Sequence, residues 1–330
     1  MTVSLRAVGI TLGAIVTAFA AAGPWLVANP PSEQFAEYVY APPMRPRIID
    51  DSWTIRRPFV YPLVLQDRLE RRYSLDRSRP LVLRFFQRGS LLSVDRSNPP
   101  WFALGTDALG RDQFARLAWG ARLSLGVALC AALGALALGT TVGGIAGFRG
   151  GAIDEALMRG ADFVIALPAL YVVLALRAAM PLVLTPWQVF WTMVLVLAAV
   201  GWPFPARAVR AVVASERTRE YAEAARALGA SRTRLLLHHL LPAARGVLVV
   251  QTTLLVPAFV LAEATLSFVG LGFGEPISSW GAMLRDAGGR AVVEAPWLLT
   301  PAMAIVIAAL AVNLAAACGS ARTLPPTLRS

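Results

Sequence analysis

The chain has 330 residues, of which 56% are hydrophobic and 15% charged, too apolar a balance for an ordinary soluble domain and one that points to a membrane protein. The formal net charge is +11, and every basic residue is Arg, because the sequence contains no Lys. No basic face is interleaved with stacking aromatics in a soluble module, so nucleic acid is excluded as a partner; the arginines flank apolar runs, as the positive-inside rule requires.

Apolar runs of about 20 residues cross a bilayer as helices. Six fit: Val8–Val27, Leu123–Phe148, Leu157–Leu176, Trp187–Phe204, Gly246–Val269 and Trp297–Cys318. The first follows Arg6 and has two readings, a retained helix, which its length favours, or a signal peptide. Residues 29–100 are polar and rich in Pro, Arg and Asp. Alternating stretches at 58–65 and 80–86 predict short strands around a charged helical turn at 67–79. Two roles stay open for this segment: an ordered spacer, or a docking surface for an external protein.

The run LGTDALGRDQFARLAWGARLSLGVA follows at 104–128. Gly105 and Gly110 permit tight turns, Thr106 lies between them, and Asp107, Arg111 and Asp112 can pair among themselves. Arg116 and Arg122 are expected to ride a helix at the interface. The favoured reading is a structural turn that sets the angle of the second span. In that span, TTVGGIAGF at 140–148 predicts close approach of a neighbouring backbone. In the third, Asp162 shares a helical face with Arg159, and pairing of the two is expected, with Arg177 snorkelling at the far end. Pro168 and Pro257 are expected to kink or loosen their spans.

Residues 207–245 carry eight arginines against Glu216, Glu220 and Glu223, which places them in the cytoplasm. Counting through six spans then puts both termini inside and residues 29–119 and 270–296 outside. Within 207–245, EYAEAARALGASRTRLLLHHLLP at 220–242 reads as a helical hairpin. A helix from about Thr218 to Leu228 ends at Gly229, which suits a left-handed C-cap. Ser231 caps the next helix, and Pro242 stops it. His238 and His239 are adjacent, so they point to different faces and form no metal pair. Glu263, in LAEATLSFVGLGF at 261–273, is a carboxylate deep in an apolar helix. It either makes a structural hydrogen bond at an interface or lines a path. The stretch 275–288 is amphipathic, with Trp280, Met283, Leu284 and Ala287 on one side, and predicts a short re-entrant or interfacial helix on the outer rim. Cys130 and Cys318 sit in apolar runs without spaced partners. No metal, nucleophile or phosphate-loop motif is present, and a GxxxxGK loop is impossible without Lys.

Glu223-Ala224-Ala225, Gly229 and Leu241-Pro242 resemble the EAA loop of the permease subunits of binding-protein-dependent ABC importers. The 104–128 run is similar to that of the dipeptide, oligopeptide and nickel group, specifically the C-type permease of the pair. The resemblance is weak over 1–27, strong over 104–318, and leaves much of 28–100 unexplained. It implies an all-α inner-membrane protein with six transmembrane helices of the type I importer permease fold and a periplasmic insertion between helices 1 and 2. The implied divisions are 1–28 (first helix), 29–119 (insertion and lead-in motif), 120–318 (five-helix core with the coupling loop 207–245) and 319–330 (cytoplasmic tail). Implied partners are a second similar permease, two cytoplasmic ATPases and an external solute-binding protein. ATP would be bound by those partners, and this chain would hold no cofactor or metal of its own.

The resemblance assigns coupling to Glu220, Tyr221, Glu223, Ala224, Ala225, Leu228, Gly229 and Pro242, and the subfamily motif to Gly105, Thr106, Asp107, Gly110, Arg111 and Asp112. Asp162 and Glu263 are candidate path or interface residues. Peptides are the implied cargo, with nickel, opines or another small solute as alternatives. A membrane enzyme lacks a catalytic constellation, and a secondary transporter gives no reason for the hairpin. The tail ARTLPPTLRS departs from the acidic Asp-Pro stretch usual in the family.

Overall fold

The computed structural model describes residues 2–49, 53–68, 70–87, 90–95, 98–168, 171–172, 175, 184–288 and 291–316. Arg177, Cys318 and the tail 319–330 lie outside the described residues, as does most of 169–183, a stretch that includes the end of the third span expected at Leu157–Leu176. The contacts divide the chain into two compact units. One holds residues 11–126 and 263–308, the other residues 1–10, 127–262 and 309–330.

The apolar runs form helices. Among the described residues, α1 spans Thr2–Leu26, α2 Gln113–Arg149, α3 Gly151–Ala166, α4 Pro186–Gly201, α5 Pro203–Glu216, α6 Glu220–Ala227, α7 Arg232–Phe268, α8 Trp280–Asp286, α9 Ala291–Glu294 and α10 Thr300–Ala316. By length and apolarity, α2, α7 and the stretch Pro296–Ala315 can each cross a membrane. The α4–α5 pair makes a fourth if counted as one span bent by 44°. Ala7–Gly23 is apolar but shorter. The expected six are therefore not all drawn as clear spans. The fourth runs straight only to Gly201: Pro203 lacks the N–H that would continue the ladder, and the chain bends there. The third, α3, ends at Ala166, where Leu167 is extended before Pro168.

In the unit of residues 11–126 and 263–308, the insertion is built from β-structure. Strands β1 (Arg47–Ile49), β2 (Ile55–Val60) and β5 (Leu81–Val82) form an antiparallel sheet in the order β1-β2-β5. Strands β3 (Leu63–Asp67) and β4 (Arg72–Leu75) form one hairpin, and β6 (Arg84–Gln87) and β7 (Ser90–Ser93) another. The charged helical turn expected at 67–79 is instead the β3–β4 hairpin, with Leu65 opposite Tyr73. Asp67 accepts a hydrogen bond from the Glu70 N–H in the turn, and the Tyr73 hydroxyl donates to the Val39 carbonyl at 2.7 Å. Those anchors hold as strand a segment whose composition also suits a helix. Ala41, Met44, Val60, Leu63, Leu81, Leu83, Trp101 and Phe102 form the core beneath it, with Phe35, Tyr38 and Tyr73 at its margin. The Trp101 indole, buried there, donates to the Met44 carbonyl at 3.0 Å, so its polar atom is satisfied.

In the other unit, α2 meets α5 at close range. A Cβ on Gly143 would sit 2.2 Å from the Ala206 carbonyl, and one on Gly147 2.6 Å from that of Arg210. Small residues are what allow that approach, as the Gly-rich run predicts. Beyond α5, Val209, Val213, Ala222, Leu235, Leu240 and Ala244 bury one another and fix the α5–α6 corner onto the start of α7.

Candidate functional site

The coupling hairpin starts where α5 ends. Helix α6 covers Glu220–Ala227, shorter than the expected Thr218–Leu228, with Glu220 and Glu223 in its first turn, where the helix dipole favours acids. Only Ala222 of this helix is fully buried; Glu220, Glu223 and Ala224 face outward, and Ala225 is half-buried. The Tyr221 hydroxyl donates to Glu216 at 2.8 Å, and burial, with that carboxylate beside it, raises the phenol above its ordinary pKa.

Gly229 follows with φ +84°, the left-handed conformation its residue type allows at little cost. Ser231 caps the next turn by accepting from the Arg234 N–H. Leu228, at the corner, is 89% exposed. Pro242 does not stop the second helix as expected. Leu235–Leu240 is π-helical and Leu241–Ala244 a 3-10 turn, so the changed winding accommodates the missing proline N–H, and α7 continues to Phe268. Asp162 pairs with Arg207 rather than with Arg159, which bridges to Glu155 at 2.5 Å. Both Asp162 and Arg207 are about half exposed.

The 104–116 motif is a buried ionic knot. Asp107 is 1% exposed; its Oδ1 accepts from the backbone N–H of Leu109 and Arg111, both at 2.9 Å. Its Oδ2 receives Arg111 Nε at 2.7 Å and the Arg116 guanidinium. Arg111 also reaches Glu275 at 2.7 Å and Asp286 at 3.3 Å, while Arg116 reaches Asp286 at 2.8 Å and donates to Ser278 Oγ at 3.2 Å. Arg116, at 2% exposure, is therefore buried rather than riding the interface. Burial of two guanidinium groups is tolerated because carboxylates meet them. Asp112 does not join the pairing. It caps α2 by accepting from the Phe114 N–H at 2.9 Å and takes Asn29 Nδ2 at 2.9 Å. Burial away from water pushes its carboxyl up to about 6, against the hydrogen bonds that favour the charged form.

Gly105 and Gly110 both have positive φ, and a Cβ on Gly110 would lie 2.1 Å from the Phe35 carbonyl. The Thr106 hydroxyl accepts from the Ala41 N–H at 2.8 Å and donates to the Tyr38 carbonyl. The whole motif is turn and clasp. Asp286, Glu275 and Ser278 were not singled out from the sequence. The only signal there is charge at the end of an otherwise apolar helix, and nothing local says which arginines it meets.

Glu263 is fully buried. Its Oε1 accepts from Ser267 Oγ at 2.7 Å, and Ser267 Oγ in turn accepts from the Phe273 N–H at 3.3 Å. Its Oε2 has no hydrogen-bond partner among the described residues, although the hydroxyls of Ser124 and Ser279 stand beside the carboxyl group. Ser124 accepts the Trp280 N–H at 3.1 Å, and Ser279 caps α8. Helix α8 packs inward through the apolar side expected of it: Trp280, Met283 and Ala287 are buried and Leu284 is half-buried. Among the described residues no group of His, Cys, Asp and Glu could hold a metal ion.

The family described as binding-protein-dependent transport system inner membrane component matches residues 139–321. The oligopeptide transport system permease protein OppC of Bacillus subtilis (strain 168) is 39% identical over 254 residues, 76% of this chain and 80% of that protein. The dipeptide transport system permease protein DppC of the same organism is 40% identical over 227 residues, 67% of this chain and 68% of that one. A solved chain of the inward-facing MetNI methionine ABC transporter covers 62% of this chain at 19% identity, with a TM-score of 0.48. On the family match and these relatives, the chain belongs to the binding-protein-dependent transport system inner membrane components, the permeases of ABC importers.

Proposed function

We propose that this chain is one of the two permeases of an ATP-driven peptide importer. It would couple to cytoplasmic ATPases through the 220–242 hairpin and receive cargo from an external binding protein. Peptide cargo is favoured over nickel or opines because relatives that cover more than two thirds of the chain are named oligopeptide and dipeptide permeases. Both termini and the 207–245 loop are cytoplasmic in this reading, following the arginine excess of the loop.

The observation that carries the coupling role is the hairpin's construction. An inner face of Ala222, Leu235 and Leu240 is locked into its own core, while Glu220, Glu223, Ala224 and an 89% exposed Leu228 are presented outward. That outward side, apolar at Leu228 and acidic at Glu220 and Glu223, is left free to enter a cleft on another protein. ATP-driven closure of the motor dimer would move the hairpin, and the paired permeases would open outward.

The test is Glu223→Arg, Gly229→Val and Leu228→Asp in the purified complex. A Cβ at 229 meets no neighbour within 4 Å, so the effect expected of a β-branched residue there is backbone strain at φ +84°. Each variant is expected to stay in the membrane and lose motor binding or transport-stimulated ATP hydrolysis. Wild-type stimulation in all three would remove the hairpin from the coupling role.

A further inference from the structure

Where α2 meets α3, a groove of about 840 Å³ opens against the hairpin and the start of α7. Three arginines line it: Arg149 at the end of α2, Arg226 on α6 and Arg232 at the start of α7. None of its lining residues is acidic. Among the described residues, Arg149 and Arg232 have no carboxylate partner, and Arg226 gives one N–H to the Arg217 carbonyl at 3.0 Å. The acid nearest Arg149 in sequence, Asp154, is held by Arg210, with Arg210 Nε at 2.9 Å from its Oδ1, and Glu223, three residues before Arg226, is not among the groove's lining.

The remaining wall is apolar and exposed: Ile145 and Ile153 on one side, Leu237 on the other. Ile145 continues an exposed face of α2 on which Leu138 lies seven residues earlier, and Leu237 precedes the exposed Val249, Val250 and Leu254 of α7. The groove therefore joins a cluster of unneutralised guanidinium groups to surfaces that suit acyl chains.

We propose that this groove is a binding site for the phosphate headgroup of an anionic phospholipid of the cytoplasmic leaflet. The proposal rests on the orientation given under Proposed function. Guanidinium forks match phosphate oxygens in pairs, so three of them around one concavity favour a phosphodiester over a zwitterionic headgroup whose ammonium they repel. Basic pockets between helices on the cytoplasmic side gain further from the negative surface potential of that leaflet. Free phosphate would satisfy the arginines but leave Ile145, Ile153 and Leu237 uncovered. A docked protein surface would have to be acidic and also narrow enough to enter beside α2.

The test uses the complete transporter in nanodiscs of phosphatidylcholine, doped with photoreactive phosphatidylglycerol or photoreactive phosphatidylcholine. Crosslinks to 145–153 and 226–237 are read by mass spectrometry. Phosphatidylglycerol should label these segments preferentially, and excess inorganic phosphate should not displace it. Arg149→Gln combined with Arg232→Gln should weaken that labelling roughly 30-fold at limiting lipid. Equal labelling by both lipids, displacement by inorganic phosphate, or unchanged labelling of the double variant would overturn the site. Separately, Ser231→Cys in a background lacking Cys130 and Cys318, probed with an impermeant thiol reagent on intact spheroplasts, reports orientation. Labelling of residue 231 from outside sinks the orientation itself, whereas a cytoplasmic residue 231 with no lipid preference sinks the lipid site alone.

Discussion

Replacing Asp107 by Asn tests whether the 104–116 motif is a structural clasp or part of a cargo site. The amide keeps one oxygen, which can still accept from the Leu109 and Arg111 N–H groups. It turns an NH2 toward Arg111 Nε, now 2.7 Å from a carboxylate oxygen, and toward the Arg116 guanidinium. Both arginines are at most 4% exposed on their side chains, so neither can recover water without moving the chain. Breaking a buried pair by removing one partner costs about 3–5 kcal/mol, because the surviving charge is left uncompensated. Asp286 still meets both arginines, which holds the expected loss to the lower end, about 3 kcal/mol.

For a chain of this size that corresponds to roughly 4 °C in the temperature at which half of the complex is lost. Fluorescence-detected size-exclusion of heated samples measures it. Glu155→Gln removes an exposed i,i+4 bridge to Arg159 and serves as control, with an expected cost of about 0.3–0.5 kcal/mol. Relative uptake of different peptides by the surviving Asp107→Asn complex should be unchanged. A variant as heat-stable as the control, or one of normal stability with altered cargo preference, would refute the clasp.

Three further outcomes are expected. Glu263→Gln keeps an acceptor for Ser267 Oγ and should retain most transport, whereas Glu263→Leu strands that hydroxyl in a buried site and should cost about 1–3 kcal/mol; equal stability of the two, by the same heating assay, would remove Glu263 from the structural role. Asp112 has a folded-state pKa raised from 3.8 to about 6, so the folded protein holds its proton more tightly; the stability this contributes is fully present below pH about 4 and lost as pH rises through about 6. The difference amounts to about 3 kcal/mol, and the wild-type margin over Asp112→Asn should shrink by that order between pH 4 and 7; a pH-independent margin would contradict it. For topology, single cysteines at Gln66 and Ser231, both exposed, in a background lacking Cys130 and Cys318, should react with an impermeant thiol reagent on intact spheroplasts at 66 and not at 231. The reverse pattern would invert the orientation.

The features that local chemistry controls could be read from the sequence. Apolar length gave the helices of the core, and Gly229, Ser231 and the first-turn acids of α6 marked the hairpin, because caps and left-handed turns depend on a few adjacent residues. Gly143 and Gly147 announced a close helix contact for the same reason. Features that depend on residues far apart in the chain were decided only by tertiary structure. Arg111 and Arg116 meet Asp286, and Arg116 also meets Ser278, across more than 160 positions, and no local pattern encodes which charge finds which. Arg116 was misread for that reason: an arginine on an apolar helix suits an interface as well as a buried carboxylate until the carboxylate is placed. Asp162 chose Arg207 on α5 over Arg159 on its own helix, and the 67–79 segment became a hairpin because Val39 supplied an acceptor for Tyr73. Pro242 continued into α7 because a π-helical stretch followed by a 3-10 turn absorbed its missing N–H, an adjustment set by how Leu235 and Leu240 pack against Val209 and Val213 and not by the proline itself.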